Sequence, residues 1–191
     1  MSTTRSTRTS VTAHTDDLHP ELAELASERR TAHVVGITAA VTRISLGFVF
    51  LWAFVDKLFG LGLATPAERA WTAGGTPTAG FLSGVEGPFG GFFQSMSGQV
   101  WADWLFMGGL FGIGLALIAG IAMRIAAASG ALLLTFMWMA SLPLENNPFV
   151  DDHLVYAIVL VLLAALRAGD VAGYGGQWRQ LPVVRDHALF H

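Results

Sequence analysis

The sequence predicts an all-α membrane protein, a four-transmembrane-helix bundle with a long folded outer loop between helices 1 and 2. Three observations predict it. The 191-residue chain is 53% hydrophobic and only 13% charged. Its apolar residues fall in long runs almost free of charge, and Arg gathers at one set of run ends. A soluble domain of this length allows one core, too small to hide so much apolar surface; a bilayer removes that problem. The formal net charge of −3 carries no signature of nucleic-acid binding. The chain has no cysteine, which excludes disulfides, thiolate metal sites and thiol catalysis within it.

Residues 1–33 read as a cytoplasmic N-terminal tail. Met1 to Thr15 is rich in Ser, Thr and Arg without an apolar core, so it is not a signal peptide and has the composition of a disordered segment. From Pro20, PELAELASERR has helical character, with Pro at a first-turn position and Leu22 and Leu25 three apart. It reads as a short surface helix, with a membrane-lying amphipathic segment as the alternative.

A spanning helix needs about 20 mostly apolar residues. Residues 34–170 supply four such spans, at about 36–60, 103–123, 125–143 and 152–169. The first is apolar except for Arg43, with Asp56 and Lys57 at its end. Only Arg124 divides the second from the third, which makes them a hairpin with a very tight turn. The fourth reaches span length if His153 and Arg167 sit near the two surfaces. The connection 61–102 is too long for a simple turn. It is rich in glycine yet carries Trp71, Phe81, Leu82, Phe89, Phe92 and Phe93, so it is expected to fold against the outer surface or the bilayer edge. Residues 171–191 form a cytoplasmic C-terminal tail.

An up-down-up-down path puts Arg29, Arg30, Arg124, Arg167 and Arg179 on one side. The other side holds Lys57 and Arg69 among Asp56, Glu68, Glu86, Asp103, Glu145, Asp151 and Asp152. The excess of Arg marks the cytoplasm, so both termini lie inside a multi-pass plasma-membrane protein. Gly108, Gly112, Ala116 and Gly120 recur every four residues and suggest a smooth face for close helix packing, inside the bundle or between two copies of the chain. Trp52, Trp71, Trp101, Trp104 and Trp138 map to the outer half. They suit an interfacial aromatic belt or the cap of a pocket for an apolar ligand such as a quinone.

Four polar features stand out. Arg43 lies inside a span, where a charge is costly and calls for a partner in the bundle or a path to the interface. Lys57 follows it by fourteen residues, about 40° around and about 21 Å along a helix, so the two share a face without touching. Lys57 is a surface anchor or a cation for an anionic substrate or a quinone oxygen. Asp56 points elsewhere. The segment ENNPFVDDHLVY is the most distinctive. Asp152 and His153 precede Tyr156 by four and three residues and can meet it on the first turn of the last span, and Asp151 or Asp152 suits the N-cap. Glu145, two Asn and His153 exceed what one cap needs; the stretch reads as proton handling at a quinone or substrate site, or as plain capping and loop structure. One His without fixed spacing is poor grounds for a metal, and none is assigned.

With TRISLGFVFLWAFVDKLFG, the AWTAGGTPTAGFL loop and NPFVDDHLVYA assembled, the chain resembles the DoxX/DoxD family from about Thr42 to Trp178. The resemblance rests on the spacing of Arg43, Gly47 and Lys57 and on Asn147, Pro148, Asp152 and His153. It implies a four-helix membrane protein. Some members of the family are subunits of a thiosulfate:quinone oxidoreductase; others are membrane partners in redox or oxidative-stress complexes. The expectation is therefore the membrane subunit of a quinone-linked oxidoreductase, with a partner subunit and quinone as co-substrate. Lys57, His153 and Asp152 would act in catalysis, and Arg43, Lys57, Trp71, Trp138, Glu145, Asn147 and Tyr156 would line the substrate or quinone site. The alternative is a non-catalytic scaffold that docks a redox partner protein.

Overall fold

The computed structural model describes residues 8–187, with side chains from Leu22 onward. The regular elements among the described residues are all helices, with no strand. In chain order the helices are α1 (Arg8–Phe59), α2 (Ala79–Ser83), α3 (Gly90–Gln94), α4 (Val100–Ala119), α5 (Met123–Ala140), α6 (Asp152–Ala165), α7 (Gly175–Trp178) and α8 (Pro182–Arg185). Single 3-10 turns lie at Ala67–Arg69, Trp71–Ala73 and Ala168–Asp170. The chain divides into two compact units, Met1–Thr38 and Ala39–His191.

In the first unit the chain is helical from Arg8. The separate short helix expected from Pro20 is instead a stretch of α1, because the Ala-, Leu- and Glu-rich sequence that follows favours continuous helix. Of the disordered tail expected for residues 1–15, residues 1–7 lie outside the described residues, and the rest is helix.

The second unit has one main core, built from the end of α1, α4, α5 and α6, with Phe50, Met107, Leu117, Leu134, Leu160 and Leu163 among its buried residues. Glycines set how closely these helices pack. A Cβ on Gly47 of α1 would lie 3.0 Å from the Ile118 backbone nitrogen, and one on Gly114 of α4 would lie 2.9 Å from that of Leu51. Helix backbones therefore meet where side chains are missing, and dispersion across such contacts holds helices that gain nothing from water exclusion in lipid. Gly130 of α5 receives Leu160 of α6, with Ile113 and Phe50 close by.

These pairs define an antiparallel register. Gly47 faces Ile118 and Leu51 faces Gly114, the Phe54 and Phe111 rings meet at a tilt, 5.1 Å between centroids, and Lys57 lies over Phe106. Continuing through Ile113, Gly130 and Leu160 brings the start of α6 level with Lys57. Arg43 sits at the opposite end.

Three helices are long and apolar enough to cross a membrane: Leu22–Phe59, Val100–Ala119 and Met123–Ala140. Phe48, Leu105, Phe111, Leu132, Ile158 and Val161 are exposed, an apolar surface that suits lipid better than water. The fourth expected span is shorter than 152–169. α6 has 14 residues, about 21 Å of helix against a hydrocarbon core of about 30 Å. It ends where Arg167 turns to a φ of +50°.

The connection between α1 and α4 is folded. Leu82, Val85 and Phe93 are buried with Ala140 of α5 in a second small core. Buried Asp103, in the first turn of α4, accepts hydrogen bonds from the Thr78 backbone nitrogen at 2.9 Å and from its hydroxyl at 2.7 Å. Residues 171–187 of the C-terminal tail fold back as well: the Tyr174 amide donates to Ala119 O at 2.9 Å, and Val184 is buried.

The small-residue face on α4 does not pack as one surface. A Cβ on Gly108 or Gly112 would meet nothing within 4 Å, whereas Ala116 packs on the core and Gly120 is buried. A four-residue step turns about 400°, so such a stripe drifts by about 40° each time and leaves the interface. Gly114→Ala should therefore destabilise the protein in detergent by about 1–3 kcal/mol. Gly108→Ala and Gly112→Ala should stay within about 0.5 kcal/mol of the parent. Thermal unfolding of the three variants checks the ranking.

Candidate functional site

The acidic end is organised by the turn between α5 and α6. Asn147 Oδ1 accepts from the Phe149 and Val150 amides at 2.9 and 3.0 Å, a side chain imitating a backbone turn. Trp138 Nε1 donates to Phe149 O at 3.1 Å, tying α5 to that turn. Asp151 then caps α6: its Oδ1 accepts from the Leu154 amide at 3.0 Å and its Oδ2 lies 2.7 Å from His153 Nδ1. His153 is also 3.4 Å from Asp152 Oδ1. Tyr156, expected to meet this group, packs against the main core instead, because the ring faces inward while the cap sits at the helix mouth.

Burial alone would raise the Asp151 carboxyl, but hydrogen bonds from His153 and the Leu154 amide outweigh it and hold the group below the ordinary carboxylate value. The Asp151 carboxylate beside Nδ1 fixes the orientation of the imidazole, a carboxylate–imidazole arrangement of the kind used to pass protons. Next to it lies a cavity of about 450 Å³ lined by Ser141, Glu145, Asn147, Asp151 and Asp152 among others. Its lining is acidic, so it favours cations and hydrogen-bond donors over anions. Ligand atoms of Asp151, Asp152 and His153 lie within 4.8 Å of one another, a spacing that a divalent cation also fits.

Lys57 lies level with this group by register. It is half-buried, with Nζ 6.0 Å from the Phe106 ring centroid. Beside it, Asp56 is only 1% exposed. One carboxylate oxygen of Asp56 accepts from the Ala64 amide at 3.3 Å; the other has no hydrogen-bond partner among the described residues. Sequence reasoning passed over Asp56 and Asp103 as polar residues at span ends. Only their neighbours in space make them buried, and the one available signal was a carboxylate adjoining an apolar run. Trp71 packs edge-on against Trp104 at 4.7 Å and touches the main core. Glu145 is exposed on the acidic cavity.

Arg43 belongs to the other end and shares no site with Lys57. Its side chain is 0% exposed, and Nη2 donates to Ala172 O at 2.8 Å. Its guanidinium fills a slot between Gly120 and Gly173, where a Cβ on either glycine would collide with Nη1. The slot lies at the C-terminus of α4, whose carbonyl end attracts positive charge. Arg43 Nε and Nη1 have no hydrogen-bond partner among the described residues. Arg43 is therefore a buried structural cation, its guanidinium enclosed by protein.

No family model matches the chain, nor does any curated protein or solved structure.

Because the folded-state value of Asp151 is lowered, the stability it contributes is complete above its unfolded value, near 3.8, and is lost as pH falls through the folded value. Unfolding measured from pH 7 downward should show Asp151→Asn losing less stability on acidification than the parent. Asp151→Ala should cost about 0.5–2 kcal/mol at neutral pH through loss of the cap.

Proposed function

We propose that this chain is a DoxX-like, four-span plasma-membrane protein with both termini in the cytoplasm, and the membrane subunit of a quinone-linked oxidoreductase of the thiosulfate:quinone type. The Asp151–His153 pair at 2.7 Å, level with Lys57 at the mouth of the helices, carries this reading. Two thiosulfate ions joined through a new S–S bond give up two electrons, and a quinone that takes these up with two protons becomes a quinol. An imidazole held in place by a carboxylate is a suitable group to hand on those protons.

In this reading Asp151 orients His153, and His153 passes protons toward the quinone, with Asp152 at the solvent side. The acidic cavity repels a sulfur dianion, so an anionic substrate is assigned to Lys57, where the cation lies beside an aromatic ring. Trp71 and Trp104 supply apolar surface at the same end for the quinone ring. Arg43 has no part in the chemistry: about 21 Å of helix separates it from Lys57. α6 completes the fourth crossing together with the turn that carries Arg167, and the Arg-rich end faces the cytoplasm.

A second reading rests on the first unit, where Leu22 and Leu25 are exposed on a helix. A scaffold that docks a redox partner through that segment would keep its partner after the chemistry is disabled. His153→Ala, assayed in membranes with the partner subunit present, should lower thiosulfate-dependent quinone reduction by about 10²–10⁴-fold, and Lys57→Ala should raise KM for the anionic substrate. Activity unchanged in both inserted variants, with the partner still co-purifying, would favour the scaffold.

A further inference from the structure

We propose that the Arg-lined cavity at the end of α4, α5 and α6 binds the phosphate group of an anionic phospholipid, with an acyl chain lying along α6. The inference stands apart from the redox reading and concerns the opposite end of the helices.

The cavity holds about 310 Å³, within the size range of small-molecule sites. Arg124, Arg167 and Arg179 line it together with Trp178, and no Asp or Glu lines it among the described residues. Asp170 stands just outside and grips Arg179 with two hydrogen bonds, at 2.6 and 2.8 Å. That grip orients the guanidinium, which presents further donors in a fixed plane.

Two more sources of positive potential converge on the same space. Met123 and Arg124, in the first turn of α5, line the cavity. The N-cap residue of α5, Ala122, offers no side-chain acceptor. The first amides of an 18-residue helix therefore point outward with the positive end of its dipole. Behind the floor formed by Gly120 and Gly169 lies the Arg43 guanidinium, 0% exposed and with Nε and Nη1 unpartnered among the described residues. A buried charge in a low-dielectric surround is poorly screened and reaches into the cavity.

The remaining wall decides between a lipid and a soluble anion. Val161, Ala164 and Ala165 of α6 complete the cavity, and Ile158, Val161 and Leu162 are exposed above it. The cationic space thus opens onto an apolar helix face, with Trp178 at the boundary where aromatic rings sit at a membrane interface. A free phosphate would use only the cationic half. A phospholipid uses both, and basic pockets between membrane helices are suited to such head groups.

The test is native mass spectrometry of the full chain in mild detergent, titrated with phosphatidylglycerol or phosphatidylcholine. The parent should bind phosphatidylglycerol at least tenfold more tightly. The double variant Arg124→Gln/Arg167→Gln should lose about 30-fold in that affinity, at about 1 kcal/mol per cation, with phosphatidylcholine binding unchanged. Arg185→Gln, at an exposed position paired with Asp186 outside the cavity, should bind like the parent. If the double variant fails to fold, Arg167→Gln alone should lose about fivefold. Equal affinity for the two lipids, or full phosphatidylglycerol binding by a folded variant, overturns the proposal. So does a thermal shift with millimolar inorganic phosphate that needs the two arginines but shows no preference for phosphatidylglycerol; that result would assign the cavity to a soluble oxyanion.

Discussion

Arg43 is a charge that the helices enclose completely, and much of the second unit follows from accommodating it. A guanidinium out of water needs compensating dipoles. It finds one in the carbonyl end of α4 and another in Ala172 O at 2.8 Å. Both lie in tight backbone: Gly120 ends α4 at a φ of +71°, and Ala172 has a φ of +49°. The planar head fits only because Gly120 and Gly173 have no side chains. One residue of α1 thus fixes how α4 ends and where the chain runs after α6.

From that fixed end the close contacts proceed along α1 and α4. Gly47 and Gly114 let the backbones approach, Phe54 and Phe111 fill the middle, and Lys57 comes to rest over Phe106. Antiparallel packing gathers residues distant in sequence into two opposed ends. One carries Arg124, Arg167 and Arg179 around a cavity; the other carries Glu145, Asp151 and Asp152 around a second. The ends are also built differently. At the acidic end a single short turn, held by Asn147 and Trp138, positions the Asp151–His153 pair. At the basic end three separate chain segments meet. A protein with its two kinds of polar chemistry separated by an apolar middle is suited to different partners on its two sides, which is the sense of the function proposed for it.

Much of this was legible along the chain. The helices over 100–119 and 123–140 follow from two long apolar runs that meet near Arg124, although the break itself comes earlier, at Gly120. The Asp151 cap follows from a carboxylate three residues before a free amide. The stripe from Gly108 to Gly120 was legible only in part, because spacing shows which residues could share a face but not what faces them: Ala116 and Gly120 meet this chain, and Gly108 and Gly112 do not. Asp56 was underread for the same reason: its position beside Lys57 at the end of a run looks like an interface, and burial comes from the folded connection that follows it.

The sequence by itself determined the helical class, the apolar character and the segregation of Arg from the acids, since these depend on composition and local periodicity. It also located the polar residues at the ends of the last helix, whose hydrogen bonds reach only two to four residues along the chain. Tertiary structure alone decided that Arg43 and Lys57 belong to different sites, that Gly47 and Gly114 rather than Gly108 and Gly112 carry the helix contact, and that three arginines from separate segments share one cavity. Those outcomes depend on which helix faces which, and that is set by the summed fit of many distant side chains rather than by any local pattern.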